Sequence, residues 1–376
     1  MNAYFDNSAT TKPCEAAVKA AEYAINECWG NPSSLHYKGS EAAKLLKKAR
    51  RQVASLAGCA DEQLFFTSSG TTANNTAIFG VYEKLKKQGN RIVTTAIEHP
   101  SILEAMRRLE ERGVEVIRIN PDSSGKIDEN EFYNAINENT ILVSCMAVNN
   151  EVGSVLPVKN IRAAVKRAGA PAVIHTDCVQ AFGKTEVSLK ALDADIITVS
   201  GHKIHALKGV GAVILKQKGL IKPYVLGGGQ EQNIYSGTEA LPNIASFGAA
   251  AEEARNIKAN SDAVAALKKQ FIDAISDIPC VTVNSPDSAI PYIANISILG
   301  LPSQPIVNYM SEKGICISAG SACKLGHRSP VLTAMGLSPE IIDSAVRISF
   351  SRFNTAEEVT ALTDCVKEIA AKYGKR

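Results

Sequence analysis

The chain lacks three things at once: a run of like charge, an apolar stretch of eighteen residues, and any C-x-x-C pair among its nine cysteines. Lysine and arginine number 41 against 38 aspartates and glutamates, a formal charge of +3 spread along the chain. With no basic tract to follow a phosphate backbone, no nucleic-acid partner is expected. With no long apolar stretch, no membrane-spanning helix is expected. The first residues, MNAYFDNSATTK, carry no basic-then-apolar leader, so the sequence reads as cytoplasmic.

The cysteines stand at 14, 28, 59, 145, 178, 280, 316, 323 and 365, an odd number without paired spacing. That pattern fits neither a disulfide framework nor a zinc site, and no metal is expected. Eight of the nine read as small buried hydrophobes, and Cys323 stands apart. Internal repeats and low-complexity segments are missing too, as are the Walker and Rossmann phosphate-binding fingerprints.

What is present is an ordinary globular balance, 45% hydrophobic and 21% charged, over 376 residues. Such a chain can bury a sizeable core in two domains, or in one large domain with an appendage. From residue 60 to about 215, β-rich runs alternate with helical patterns. The strands are expected at QLFFT (63–67), RIVTT (91–95), VEVIRI (114–119), TILVSCMAV (140–148), AVIHT (172–176), DIITVS (195–200) and GAVILK (211–216). That alternation predicts an α/β fold, a mostly parallel seven-stranded sheet with helices on both faces. Residues 241–276 read as helix, bent around Asn260-Ser261, with a hinge near residue 258. A smaller α+β domain is expected beyond it, with strands at VTVN, ANISIL, ICIS and AVRISF, a helix near 304–313 and a final helix over 355–373.

In open α/β sheets ligands bind at the carboxyl ends of the strands, so the residues just after each strand carry the chemistry. QLFFT is followed by SSGTTANN, where Gly70 and Thr71 open a helix whose first N–H groups suit an anion. RIVTT leads to His99 just before Pro100; TILVSCMAV leads to Asn149 and Asn150, which are also plain turn formers. Asp177 closes an apolar run where a buried carboxylate requires a cationic partner. DIITVS ends in Ser200-Gly201-His202-Lys203, and a lysine in a semi-buried cleft readily becomes the neutral amine that condenses with a carbonyl. A phosphate cradle, an imidazole beside a flat ring, a carboxylate for a ring nitrogen and an amine for an aldehyde are what pyridoxal 5'-phosphate requires.

FDNSATT (5–11), GNPSSLH (30–36), FTSSGTTANN (66–75), EHPSIL (98–103), VNNEVG (148–153), HTDCVQ (175–180), SGHK (200–203), GGGQE (227–231), SGTE (236–239) and GSAC (320–323) together resemble the cysteine desulfurases, class V aminotransferase-like enzymes of iron–sulfur assembly and nitrogen fixation. The resemblance runs from about residue 4 to 370. It implies a large cofactor-binding domain of fold type I over 13–258 and a small domain formed by 1–12 and 259–376. It also implies that Lys203 holds the cofactor covalently, Asp177 pairs with the pyridinium nitrogen, His99 stacks on the ring and Gln180 bonds the ring hydroxyl. Asn150 is then near the substrate carboxylate and that hydroxyl. Gly70, Thr71, Ser200 and His202 hold the phosphate, joined by Thr238 from the neighbouring subunit of a homodimer. Arg347 grips the carboxylate of the substrate, for which a planar two-toothed cation is better suited than lysine.

Cys323, in SAGSACKLGHRSP, resembles the sulfur-accepting nucleophile; Lys324, His327 and Arg328 favour its thiolate, and a mobile loop is expected over residues 320–329. By this resemblance L-cysteine displaces Lys203, the freed lysine removes the α-proton, and Cys323 takes the sulfur as a persulfide while alanine leaves. An iron–sulfur scaffold or another sulfur-relay protein then accepts it. The sequence departs from the family pattern at Thr72, Ala206-Leu207, Gln232, Tyr235 and Ser351 and in a shortened segment after Cys323. These departures bear on the acceptor and substrate, not on the cofactor set. The alternatives are a selenocysteine lyase or another β-eliminating or amino-transferring enzyme of this fold, and a non-catalytic cofactor-binding protein of sulfur trafficking.

Overall fold

A computed structural model describes residues 2–319 and 328–374. After a short first strand, β1 (Ala3–Tyr4), come helices α1 (Glu15–Asn26) and α2 (Tyr37–Leu56) and then the seven strands of the main sheet. These are β2 (Leu64–Thr67), β3 (Arg91–Thr95), β4 (Glu115–Ile119), β5 (Thr140–Ser144), β6 (Val173–Asp177), β7 (Ile196–Ser200) and β8 (Gly211–Leu215). Each lies within or one residue beyond the run expected for it. The spatial order is β2-β8-β7-β6-β5-β3-β4, and only β8 runs against its neighbours, β7 and β2. The carboxyl ends of β2, β3, β5, β6 and β7 therefore share one edge. β5, β6, β7 and β8 are buried along their whole length, as near-continuous apolar runs in a sheet covered on both faces must be.

A three-stranded antiparallel sheet follows, in the order β12 (Ala345–Ser349), β10 (Ile293–Ile298), β9 (Val281–Val283), and a fourth late strand, β11 (Ile315–Cys316), pairs in parallel with β1. The helices Ile257–Ile275 and Ala356–Tyr373 pack together there, with Phe271 against Phe350 at 6.1 Å. The bend expected at Asn260-Ser261 stands earlier. One helix, Leu241–Glu253, ends against the fully buried Ala254, and the next begins at Ile257 after Asn256 has left helical geometry. Asn256 and Asn260 lie four residues apart, and propensity alone does not rank them; Asn260 bonds back to Asn256 as part of the new first turn.

The segment Phe5–Thr11 straps the two regions together. Asn7 Nδ2 donates to the Ser349 carbonyl, Ser8 N donates to Ser349 Oγ, and Thr11 Oγ1 donates to the His202 carbonyl. A second fastening holds the 227–239 loop. Glu231, Gln232 and Asn233 all have positive φ, at 48°, 55° and 68°, a left-handed run that costs roughly 1–2 kcal/mol per residue outside glycine. Arg50 forks onto Glu231 at 2.5 and 2.8 Å, and the same carboxylate accepts from Phe66 N. Removing one partner of a buried pair leaves the other uncompensated. Arg50→Ala is therefore expected to cost about 3–5 kcal/mol in denaturant unfolding; a loss below about 1 kcal/mol would show that the pair does not hold the loop.

Candidate active site

At the shared edge, the entry to helix α3 (Gly70–Leu85) is shaped by a reciprocal cap in which Ser69 Oγ accepts from Thr72 N and Thr72 Oγ1 accepts from Ser69 N. The N–H groups of Gly70 and Thr71 stand outside that cap. Gly70 is where the chain has no room for a side chain: a Cβ would lie 3.0 Å from Val179 Cγ2 and 3.2 Å from Ser200 Cβ. The helix entry is thus pressed against the segments that follow β6 and β7. Ser200 Oγ is buried beside it with no hydrogen-bond partner among the described residues, and a buried hydroxyl left in that state calls for a polar group to meet it. A phosphate at this helix entry is such a group.

His99 is the N-cap of helix α4 (Pro100–Glu110): its Nδ1 accepts from Ser101 N at 3.1 Å, so a neutral ring carries its proton on Nε2. Burial lowers its pKa, the Asp177 charge opposes that shift and the Lys203 charge adds to it. Ser101 Oγ also lies 2.8 Å from Nδ1 and accepts from Asn74 Nδ2 at 2.9 Å. The other hydrogen of that amide goes to Asp177 Oδ2 at 2.8 Å, while Asn74 Oδ1 accepts from Thr198 Oγ1, which in turn touches His175 Nε2. His99 and Asp177 are therefore tied through one asparagine. Among the described residues, Asp177 is met by two neutral donors, Asn74 and the Val179 N–H, which orient its carboxylate. The protein supplies it no cation there, which leaves that part to a ligand.

Lys203 projects from the short turn after β7, and its Nζ donates to the carbonyls of Ser8 at 2.5 Å and Ala9 at 2.6 Å. Gln180 is buried; its Nε2 donates to the same Ser8 carbonyl at 3.0 Å and its Oε1 accepts from Lys184 Nζ at 3.0 Å. His202 Nδ1 lies 3.1 Å from Thr10 Oγ1, and burial, with the nearby lysines, pushes its imidazole down to about 4. Arg347 on β12 is only 4% exposed; it is no surface charge, and it bonds the Asn150 carbonyl and Asp6 Oδ1, while its Nε has no partner among the described residues. Asn149 shapes the turn below it, accepting from Glu151 N and Val152 N. Thr71 and Thr238 are exposed. Cys323 lies outside the described residues, as does most of the 320–329 segment.

Sequence reasoning left three buried participants unassigned. Asn74 lies within FTSSGTTANN, Lys184 follows Gln180 at the helical spacing of four, and Glu98 immediately precedes His99. Burial drives the Lys184 amine down to about 7, helped by the charges of Lys203 and Arg347. Together, an amine and a carboxylate at neighbouring strand ends, a neutral imidazole and a partnerless hydroxyl at a helix entry fit a phosphorylated pyridine aldehyde.

The sequence model of the aminotransferase class V family matches residues 3–362. Cysteine desulfurase 2 of Trichormus variabilis is 36% identical over 373 residues, 98% of this chain and 93% of that protein. The cysteine desulfurase IscS of Methanosarcina thermophila is 34% identical over 373 residues, 98% of this chain and 92% of its own. A solved NifS-like protein superposes with a TM-score of 0.93 at 33% identity, covering 99% of this chain and all of the other.

Glu98 yields a pH prediction. Burial pushes its carboxyl up to about 8, against bonds from Met146 N and Thr95 Oγ1 and with the Asp177 charge adding to the rise. The folded-state value exceeds the unfolded one, so the contribution to stability is complete at low pH and is lost as pH rises toward 8. Denaturant unfolding between pH 6 and 8 should show the parent losing up to about 1.4 kcal/mol per pH unit relative to Glu98→Gln. Parallel profiles for the two proteins would mean that Glu98 is ionised throughout.

Proposed function

The chain belongs to the aminotransferase class V family, and on that premise we propose how its own residues divide the work of a pyridoxal 5'-phosphate-dependent cysteine desulfurase. When bound, the cofactor supplies an aldehyde that captures an amine and a protonated ring that takes up the electrons of a breaking bond. Lys203 would hold it, and its Nζ would take the α-proton of the substrate. Asp177 keeps the ring nitrogen protonated, and the bonds it receives from Asn74 and Val179 N fix the carboxylate for that task. His99, oriented through Ser101 and Asn74, would help to hold the ring. Gly70, Thr71, Ser200 and His202 receive the phosphate, and Thr238 joins them from the second subunit.

Arg347 and Asn150 receive the substrate carboxylate, a reading supported by the burial of Arg347 and its partnerless Nε. Cys323 Sγ forms a bond to the substrate sulfur as the substrate C–S bond breaks. The product carbon is protonated and leaves as alanine, and the sulfur stays as a persulfide that a carrier or scaffold protein accepts. A homodimer belongs to the same reading, since Thr238, exposed on one chain, would reach the phosphate of the other subunit. Among the described residues no helix is long and apolar enough to cross a membrane. Domain limits of 13–258 for the cofactor-binding part, and 1–12 with 259–376 for the small part, accord with the pairing of β1 to β11.

The observation that carries this reading is the convergence of Lys203, Asp177, His99 and the partnerless Ser200 hydroxyl at strand ends along one sheet edge. Incubation with L-cysteine and a reductant is expected to give alanine and sulfide in equal amounts; pyruvate and ammonia in their place would overturn it. Cys323→Ala should lower sulfide release at least about a hundredfold with the cofactor still bound, and Lys203→Ala should end covalent attachment. For Arg347→Lys, KM for cysteine should rise about tenfold or more, because one point charge replaces a fork.

A further inference from the structure

Lys184 is a fully enclosed lysine, 6% exposed, with no carboxylate paired to it among the described residues. A buried ammonium without a counter-ion is costly, and a well-packed hydrophobe would normally serve the fold better. The groups facing it are mostly of its own sign or neutral: the Lys203 and Arg347 charges, the imidazoles of His202 and His205, and the Tyr292 ring at 5.6 Å. Its Nζ makes a hydrogen bond to Gln180 Oε1 at 3.0 Å. The segment is brought there by Gly183, at φ 70°, where a Cβ would come within 2.9 Å of Ile204 Cγ2, next to Lys203.

In its protonated form the Lys184 amine only donates, and a backbone carbonyl only accepts. Gln180 stands between the two, with Oε1 toward Lys184 and Nε2 toward the Ser8 carbonyl. Turning the amide over would set N–H against N–H on one side and carbonyl against carbonyl on the other. The Ser8 carbonyl is also a partner of Lys203 Nζ, so a chain of three hydrogen bonds joins Lys184, Gln180, Ser8 and Lys203.

We propose that Lys184 is a positioning residue for the desulfuration, an ammonium that locks the Gln180 amide with Nε2 as a donor on the Lys203 side. The inference rests on the reading above, in which Gln180 meets the ring hydroxyl oxygen of the cofactor. An oxygen that carries negative charge needs a donor facing it, and an amide held on one side only, by the Ser8 carbonyl, is less firmly kept from turning its own carbonyl toward that oxygen. Lys184 removes that freedom without touching the reacting atoms.

The test is a pH titration of the visible absorption band of the bound cofactor in the parent, Lys184→Met, Lys184→Arg, Gln180→Ala and the Met/Ala double variant. Lys184→Met and Gln180→Ala should each raise the midpoint by about one pH unit, a tenfold gain in proton affinity, and the double variant should move it no further than either alone. Lys184→Arg keeps a donor-only head and should stay near the parent. An unmoved midpoint in Lys184→Met, full additivity in the double variant, or a Lys184→Arg midpoint displaced as far as that of Gln180→Ala overturns the proposal. A shift in Lys184→Met without one in Gln180→Ala also overturns it, since the lysine would then act directly. A parent with no visible band after loading would instead overturn the cofactor reading beneath it.

Discussion

The N-terminal segment presents the carbonyls of Ser8 and Ala9 to Lys203 Nζ, and both sides of the site are referenced to that segment. Those carbonyls belong to the first dozen residues, which must cross from β1, paired to β11, to the end of β7. The crossing puts Asp6 on Arg347 and leaves Asn7 and Ser8 bonded to Ser349. The amine at one side of the site and the guanidinium at the other are thus referenced to a single extended segment. Bonds from backbone are the stiffest reference available, since they add no side-chain freedom of their own.

Electrostatically the site gathers cations, Lys203, Lys184 and Arg347, and balances them sparingly. Asp6 takes Arg347, while Asp177 receives neutral donors. Neutral donors orient a carboxylate without cancelling its charge, which leaves Asp177 able to act on a cationic ring nitrogen. The histidines are kept uncharged by burial, His175 down to about 3 and His202 to about 4, so their nitrogens serve as fixed hydrogen-bonding points. The resulting excess of positive charge suits a ligand that brings a phosphate, a ring oxygen and a carboxylate.

The strands were legible because a covered parallel sheet demands short apolar runs separated by helices, and the runs at 91–95 and 196–200 could hardly be read otherwise. Strand-end chemistry was legible for the same reason: the parallel direction fixes which end of each run faces the site. The helix break near 255 was harder, because Asn256 and Asn260 have the same propensity and the burial of Ala254 decided between them. Arg347 stands on β12, an edge strand of its sheet, and its burial depends on the Asp6 segment lying over it, which no local pattern shows.

By itself the sequence determined the layered architecture, the order of elements and the side chains standing at each strand end, since these depend on local periodicity. Tertiary structure alone decided the partners. That Asn74 bridges His99 and Asp177, that Lys184 fixes Gln180, and that a strap 190 or more residues upstream receives Lys203 are contacts between segments far apart in the chain. No local pattern encodes them, because a hydrogen bond depends on where two backbones are brought and not on how many residues separate them.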